Sequence, residues 1–147
     1  MKNKFKLAAA VVMVIGFAAS SALAAVQPVQ LALVDPIQIF SAGTSITGLR
    51  LNLIYGRNAN VKGLDLGLIG VADSSFSGVQ YNSLANITKG NFSGCQIGFV
   101  NYAVNAKGLQ LGFINYAESL NGLQIGLVNI IDRGGVLPVM PFINWSF

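Results

Sequence analysis

The sequence contains no histidine, and only 10% of its 147 residues are charged. The chain therefore lacks the commonest general base and the commonest zinc ligand, and neither a Ser/His/Asp triad nor a Cys/His pair is available. Its five acidic residues are scattered, with no spacing that suits paired-carboxylate catalysis. We expect a protein that is not an enzyme and that has no catalytic residue, no cofactor and no metal site.

Cysteine is equally scarce, because Cys95 is the only one and no internal disulfide is available. Cys95 occupies a position that Leu109 and Leu123 hold in two related segments. We interpret it as a buried small apolar side chain rather than as a reactive thiol.

The beginning of the chain has the composition of a secretory signal. Three lysines among the first six residues precede an apolar run over 7–19, which is shorter than the ~20 residues that a membrane-spanning helix requires. Small residues follow at Ala22-Leu23-Ala24, where a signal peptidase would cut. We predict a cleaved signal peptide over 1–24 and a single all-β repeat domain over 25–147.

Removing the signal peptide changes the charge of the chain. The full sequence has a net charge of +4, but residues 25–147 hold six basic and five acidic side chains. This balance does not indicate a nucleic-acid partner. We expect export to the bacterial cell surface, outer membrane or periplasm, and contact with an envelope or surface partner that the sequence does not identify.

Glycine-led segments recur along the chain. The copies begin, in order, at Gly48, Gly63, Gly78, Gly94, Gly108 and Gly122. The last three copies follow one another at intervals of 14 residues and share the pattern Gly-x-Gln-x-Gly-x-x-Asn. A unit this short buries its apolar side only against neighbouring units, so it predicts one continuous repeat array.

Within each copy, apolar and polar residues alternate with a period of two, which predicts a strand with one apolar and one polar face. The apolar positions form three columns: Leu49, Leu64, Val79, Cys95, Leu109, Leu123; Leu51, Leu66, Tyr81, Ile97, Leu111, Ile125; and Leu53, Leu68, Ser83, Phe99, Phe113, Leu127. We expect these columns to fill the core. A further set of mostly apolar residues lies two positions before each leading glycine, and we expect it to return the connection to the core: Ile46, Val61, Phe76, Phe92, Ala106, Leu120.

Two all-β architectures accommodate this unit. In a β-solenoid each copy is one coil of about 14 residues, and equivalent positions stack in parallel at about 4.8 Å. In an eight-stranded up-and-down antiparallel β-barrel, six repeat strands join strands over 29–40 and 136–147. The aromatic ending Ile143-Asn144-Trp145-Ser146-Phe147 resembles the C-terminal signal of bacterial outer-membrane barrels.

The length of the period favours the solenoid. Antiparallel neighbours would give a natural period of two strands, whereas the sequence repeats after every single strand. The apolar stretch is also short, about 10 Å against the roughly 25 Å of a lipid-facing band. Under either architecture, Pro36, Pro138 and Pro141 predict edge or capping strands, and 136–147 is the closing strand.

The polar face offers candidates for contact and for internal pairing. In a solenoid, Gln96, Gln110 and Gln124 would form a ladder of amides, as would the asparagine that ends each copy. These glutamines and two aromatic residues, Tyr102 and Tyr116, are the candidate contact surface; the tyrosines would lie side by side and form either a binding platform or a packed ridge. Arg50 and Asp65 hold the glutamine position in earlier copies, and we expect them to form a surface ion pair.

These segments resemble a group of bacterial surface-repeat-containing proteins, known from leptospires and other bacteria, that are built from copies of Gly-Leu-Gln-x-Gly-Leu-x-Asn. The resemblance rests on the copies at Gly94, Gly108 and Gly122 and extends to the segment over 48–56 and to the aromatic ending. It implies export and a surface location. It implies no activity and no functional residues.

Our interpretation is an exported, non-enzymatic structural or binding protein of the bacterial envelope. The alternative is an integral outer-membrane β-barrel that acts as an anchor or a narrow pore.

Overall fold

The computed structural model describes residues 26–147, so the predicted signal peptide lies outside the described residues. Six strands follow one another: β1 (Val26–Val34), β2 (Ile37–Gln38), β3 (Ser45–Ile97), β4 (Val100–Leu111), β5 (Ile114–Arg133) and β6 (Val139–Ser146). They form one mixed sheet in the order β2-β1-β3-β4-β5-β6, which is open with β2 and β6 at its edges. The prediction of an all-β protein is confirmed. No helix within 26–147 has the length and apolarity needed to cross a membrane.

Successive copies of the repeat pair in parallel and in register. Gly94 of β3 lies beside Gly108 of β4, which lies beside Gly122 of β5, and the residues that follow pair in the same order. The antiparallel pairing of successive copies that the barrel alternative requires is therefore wrong for these strands. Parallel pairing places each residue beside its own equivalent, which explains why every copy carries the same pattern.

The long strand β3 turns back on itself and contains four copies. A Cβ added to Gly63 would lie 2.1 Å from the carbonyl oxygen of Gly48, and one added to Gly78 would lie 2.0 Å from that of Gly63. The leading glycines are thus in direct backbone contact from one copy to the next. All six have a positive φ, as a corner with close backbone approach requires.

The two ends of the array are closed by antiparallel strands. β2 pairs with β1, and β6 pairs with β5, placing Asn144 opposite Gln124. Pro141 lies within β6 and Pro138 directly before it, so both prolines occur at the edge of the sheet, where a missing backbone donor is tolerated. The predicted closing strand is observed over a slightly shorter range than 136–147.

The assignment of the two strand faces was wrong. The three apolar columns do not fill the core, because every side chain in them is half-buried or exposed, and the exposed fraction reaches 60% at Leu53. The alternating polar positions point inward instead: Gln96, Gln110 and Gln124 have no exposed surface. The inward side of these strands therefore carries amides, together with Arg50 and Asp65, which are also fully buried.

Lack of space explains the reversal. A Cβ added to Gly98, an inward position, would lie 2.3 Å from the carbonyl oxygen of Asn82 and 2.6 Å from the Nδ2 atom of Asn86. A Cβ at Gly112 would meet Gly98 and Asn101 at similar distances. Large apolar side chains therefore have no room on this side of the coil, whereas flat amides can stack one above another.

The apolar core is formed by other positions of the repeat. The residues two positions before each leading glycine are all buried, with Phe76 and Phe92 stacked at a centroid distance of 5.9 Å. This expectation is confirmed. Small side chains, including Ala72, Ala103 and Ala117, are fully buried members of the same core.

Candidate functional site

The predicted glutamine ladder is present, and it is buried. Gln110 donates from Nε2 to Oε1 of Gln96 at 2.7 Å, and Gln124 donates to Gln110 at the same distance. Gln96 in turn donates to Gln80 at 3.0 Å. Because all of these side chains are fully buried, the structure places the three predicted contact glutamines where only other parts of the chain touch them.

A second ladder of asparagines runs beside the first with the opposite polarity. Asn86 donates from Nδ2 to Oδ1 of Asn101, Asn101 donates in the same way to Asn115, and Asn115 to Asn129, in each case at 2.8 Å. The glutamines donate toward the beginning of the chain and the asparagines toward its end. The inner members of the two ladders, Gln96 and Gln110 in one and Asn101 and Asn115 in the other, each donate and accept within the stack, which removes most of the cost of burying them. The Oε1 atom of Gln124, at the end of its ladder, is buried with no hydrogen-bond partner.

Arg50 and Asp65 are neighbours, as predicted, but the expectation of a surface ion pair was wrong. Both side chains are 0% exposed, with Nε to Oδ1 at 2.8 Å and Nη2 to Oδ2 at 2.6 Å. The carboxylate also accepts from the Nδ2 atoms of Asn52 and Asn82. The pair occupies the glutamine column, and that column faces inward, so the charges are buried with it.

Tyr102 and Tyr116 lie side by side on an outer surface, as the sequence predicts. Their rings are parallel within 3° at a centroid distance of 5.2 Å. Both are half-buried, and Ile87 is the strand partner of Tyr102 on its other side. Because one face of each ring is covered by the other ring, this arrangement favours the packed ridge over the binding platform.

Tyr116 also donates a hydrogen bond from its phenol to the carboxylate of Asp132. This hydrogen bond, together with partial desolvation and the charge of Asp132, raises the pKa of Tyr116 from 10.0 to about 12. The hydrogen bond between Tyr116 and Asp132 stabilises the folded protein. This stabilisation is fully present below pH 10, the ordinary pKa of tyrosine, and is lost as the pH rises through about 12.

We expect an absorbance titration of phenolate to show one of the four tyrosines ionising near pH 12. The change Asp132→Asn should lower this pKa toward its ordinary value, because the anionic acceptor is lost. Asp73→Asn is the matched control, because it removes a carboxylate that pairs with Arg57 and not with a tyrosine. It should leave the titration unchanged. Identical titration curves for the Asp132→Asn variant and the unmodified protein would contradict the assigned hydrogen bond.

The three apolar columns form a broad surface on the outward side of the repeat strands, which we call the outer apolar face. It is extended by Leu31 of β1 and by Phe142, Ile143 and Trp145 of β6. No charged residue belongs to these columns, since Arg50 and Asp65, which alternate with them, point inward. Cys95 is part of this face and half-buried, so the expectation of full burial was wrong; partial burial raises the pKa of its thiol.

The outer apolar face carries a ridge and a groove. Phe99 and Phe113 stack at a centroid distance of 4.7 Å and form the ridge. The groove beside them has a volume of about 620 Å³. Phe99 and Phe113 form part of the groove's lining. The other lining residues are the glycines two positions after each ladder glutamine, together with apolar and small residues around them: Tyr81, Ser83, Ile97, Gly98, Leu111, Gly112, Ile125, Gly126, Leu127, Phe142.

Charged side chains lie on other parts of the surface and pair with one another. Asp73 contacts Arg57 at 2.8 Å and Lys89 at 3.2 Å, and Arg133 contacts Glu118 at 3.5 Å. Burial alone would raise the pKa of Asp73, but the hydrogen bonds from Arg57 and Lys89 outweigh it and hold this pKa below its ordinary value. These ion pairs involve no residue of the outer apolar face.

The outer apolar face was missed as a candidate site, because its residues were assigned to the core. Two features of the sequence would have indicated it: the scarcity of charge, and the glycines at inward positions, which leave no room for a Leu or Phe on the same side. Among residues 26–147, no group of three or more His, Cys, Asp or Glu side chains is placed to hold a metal ion.

Comparison with known proteins identifies no relative: no family model, no curated protein and no solved structure matches this chain.

Proposed function

We propose that this chain is an exported, non-enzymatic repeat protein of the bacterial envelope, built as a short-coil β-solenoid, that binds another molecule through its outer apolar face. The signal-like beginning and the resemblance to surface-repeat proteins support export and an envelope location. The partner is a molecule of the envelope or the cell surface. The outer membrane is one such partner.

The solenoid is supported by the pairing of equivalent residues. Gly94, Gly108 and Gly122 lie side by side in parallel strands, and the amide ladders continue through the same rows. Each copy therefore contacts chiefly its neighbours, as in other solenoids. The antiparallel strands β2 and β6 serve as caps, which terminal units of such an array need.

A non-enzymatic role is supported by what the carboxylates contact. Asp65 is enclosed with Arg50, Asp73 pairs with Arg57 and Lys89, and Asp132 accepts from Tyr116. Each of these groups has a partner within the chain and lies apart from the apolar groove. The groove itself has no convergent polar groups of the kind that orient a substrate.

A binding role is supported above all by the outer apolar face. Contiguous exposed apolar patches above a few hundred Å² mark interaction sites in soluble proteins. The exposed side chains of the outer apolar face include Phe99, Phe113 and Leu127, whose exposed fractions are 48%, 51% and 54%. A face this apolar would cost free energy in water, so a function that covers it explains why every copy retains it.

Fractionation of expressing bacteria tests the proposal. The unmodified protein should remain with the envelope fraction after the cells are broken. The double change Leu111→Asn and Ile125→Asn places two amides on the outer apolar face and should release the protein, because it weakens the apolar contact without removing an internal hydrogen bond.

Val104→Asn is the matched control, because Val104 is likewise half-buried on the outside of the coil but belongs to none of the three columns. It should stay with the envelope. Far-ultraviolet circular dichroism should show the same strand content in all variants. Retention of the double variant at the level of the unmodified protein would contradict a role for this face.

A further inference from the structure

Apolar side chains continue past the outer apolar face and around a bend of the chain. The chain bends at 98–99, between β3 and β4, and at 112–113, between β4 and β5. Phe113 in the second bend and Ile114, the first residue of β5, are both exposed. Since residues within a strand alternate between its two sides, two adjacent exposed residues mark a corner. Five of the six copies carry an apolar pair there, which we call the apolar corner: Leu53-Ile54, Leu68-Ile69, Phe99-Val100, Phe113-Ile114, Leu127-Val128.

Polarity rises with distance from this corner along β5. After Ile114 the next outward positions are Tyr116 and Glu118, and the residues between them are buried. Tyr102 of β4 is the strand partner of Tyr116, and the phenol of Tyr116 reaches the carboxylate of Asp132. The order from the corner outward is therefore an aliphatic side chain, a tyrosine and a charged group.

The opposite border of the outer apolar face is also polar. Lys107 directly precedes a leading glycine and lies between Ser93 and Asn121 of the neighbouring rows. Lys62 holds the same position in an earlier copy, and both lysines are exposed. Neither forms an ion pair with a carboxylate of residues 26–147. Their ammonium groups are thus available to anionic groups of a partner at the edge of the apolar surface.

The closing strand β6 repeats this order. Phe142 is exposed and lies opposite Gly126, directly beside the apolar corner, whereas Trp145 lies opposite Leu123, in the column nearest the lysines. Tryptophan and tyrosine are the side chains enriched where a membrane meets water. The aromatic residues with a polar group therefore lie between the apolar corner and the charged borders on both sides.

The extent of the apolar surface suits the boundary of a lipid leaflet. The apolar stretch of each strand is about 10 Å long, against the roughly 30 Å of a bilayer's hydrocarbon core. Amphipathic elements that lie in the membrane interface bury their apolar faces by about 5–10 Å. The surface is thus too short to span a bilayer and long enough to enter one leaflet.

The charges at the surface are nearly balanced. Apart from the buried pair of Arg50 and Asp65, residues 26–147 contain five basic and four acidic side chains: Arg57, Lys62, Lys89, Lys107, Arg133, and Asp35, Asp73, Glu118, Asp132. Phospholipid headgroups that carry both a phosphate and an ammonium group match such a mixture. A partner that contacts every row in the same way must also be uniform along the array and graded in polarity across it, and a lipid leaflet has both properties.

We propose that this protein lies in the surface of a phospholipid leaflet, with the apolar corner inserted and the stack of rows parallel to the membrane plane. This inference rests on the proposed function, because it names lipid as the partner of the outer apolar face. It also extends the contact to Ile114 and Val128, which belong to none of the three columns. The tyrosines and Trp145 would lie at the level of the headgroups, and the lysines would contact phosphate groups.

Flotation of the exported protein with vesicles of phosphatidylethanolamine and phosphatidylglycerol tests the inference. The unmodified protein should float with the vesicles, and Ile114→Asn should lower its partition coefficient about tenfold, because an amide replaces an apolar side chain among the acyl chains. Val104→Asn is the matched control: Val104 lies beyond Tyr102 on β4, beside Glu118 and so at the charged level, and its replacement should leave the partition coefficient unchanged.

Circular dichroism should show the same strand content in both variants. An unmodified protein that does not float would overturn the inference, and so would equal partition coefficients for Ile114→Asn and the unmodified protein.

The single tryptophan supplies a second measurement that needs no variant. Fluorescence of Trp145 should shift to shorter wavelength when vesicles are added, and lipids brominated near the headgroup should quench it more than lipids brominated near the end of the acyl chain. Emission that does not change with vesicles would overturn the insertion of this face. Stronger quenching from the chain ends would overturn the interfacial depth.

The inference and the proposed function fail in different ways. A protein that stays with the envelope fraction but does not float with protein-free vesicles would overturn lipid as the partner and leave the outer apolar face as a site for an envelope protein. A protein that floats with vesicles but is absent from the envelope fraction would support the inference and contradict the proposed location.

Discussion

Replacing Asp65 with asparagine is expected to lower the free energy of unfolding by about 3–5 kcal/mol, the usual effect of breaking a buried ion pair. The change keeps the shape of the side chain and removes its charge. Arg50 would then remain 0% exposed with no anion beside it. Asn52 and Asn82, which donate to the carboxylate, would compete with the guanidinium for a single remaining acceptor oxygen.

Urea denaturation followed by circular dichroism measures this effect, and the chain offers a matched control. Asp73→Asn breaks ion pairs with Arg57 and Lys89, but the side chains of Arg57, Lys89 and Asp73 are 40%, 50% and 25% exposed. Water therefore screens these pairs, and their loss should cost less than about 1 kcal/mol. Equal effects of the two substitutions would contradict the burial of Arg50 and Asp65.

A double variant shows why the ion pair occupies this column. Arg50→Gln with Asp65→Gln would place glutamine in two consecutive rows, next to Gln80, and continue the ladder that runs to Gln124. Since an uncharged pair needs no compensating charge, we expect it to be more stable than the Asp65→Asn variant. A greater loss of stability in the double variant would show that the other hydrogen bonds of Arg50, to Asn58 and the carbonyl of Val71, dominate.

The strands, their parallel register and the amide ladders could be predicted from the sequence, because each depends on a local pattern or on the equivalence of copies. A period of two in Gln110 and Leu111 indicates that they lie on opposite faces of a strand. It does not say which of the faces is inside. That depends on how much space the inward side offers, which is set by contacts between segments far apart in the chain.

Burial of the glutamines could not be judged one residue at a time. A single buried amide without partners costs free energy, so the usual preference places Gln110 outside and Leu111 inside. In the stack, Gln110 donates to Gln96 and accepts from Gln124, and the cost is removed only because all three are present. The error about the core then carried over to Arg50 and Asp65, whose pairing was predicted correctly and whose exposure was not.

Replacing Gly108 with alanine is expected to destabilise the protein by about 2–5 kcal/mol, through backbone strain and overpacking together. Gly108 has a φ of 125°, a conformation that residues with a side chain rarely adopt. The added Cβ would lie 2.1 Å from the carbonyl oxygen of Gly94 and 3.1 Å from its carbonyl carbon. Both atoms belong to the backbone of the neighbouring row, so no side-chain rotation relieves the clash.

Gly43→Ala is the control, because nothing lies within 4 Å of a Cβ added at Gly43, which is in the connection between β2 and β3. Its effect should be within about 0.5 kcal/mol, as for an ordinary surface substitution.

The row of Gly122 also rests on Gly108, since a Cβ at Gly122 would lie 1.9 Å from the carbonyl oxygen of Gly108. A shift at Gly108 therefore disturbs the rows on both sides, and hydrogen exchange should be faster in both. If Gly108→Ala and Gly43→Ala unfold at the same urea concentration, these rows do not lie in backbone contact, and the parallel, in-register pairing of the copies is wrong.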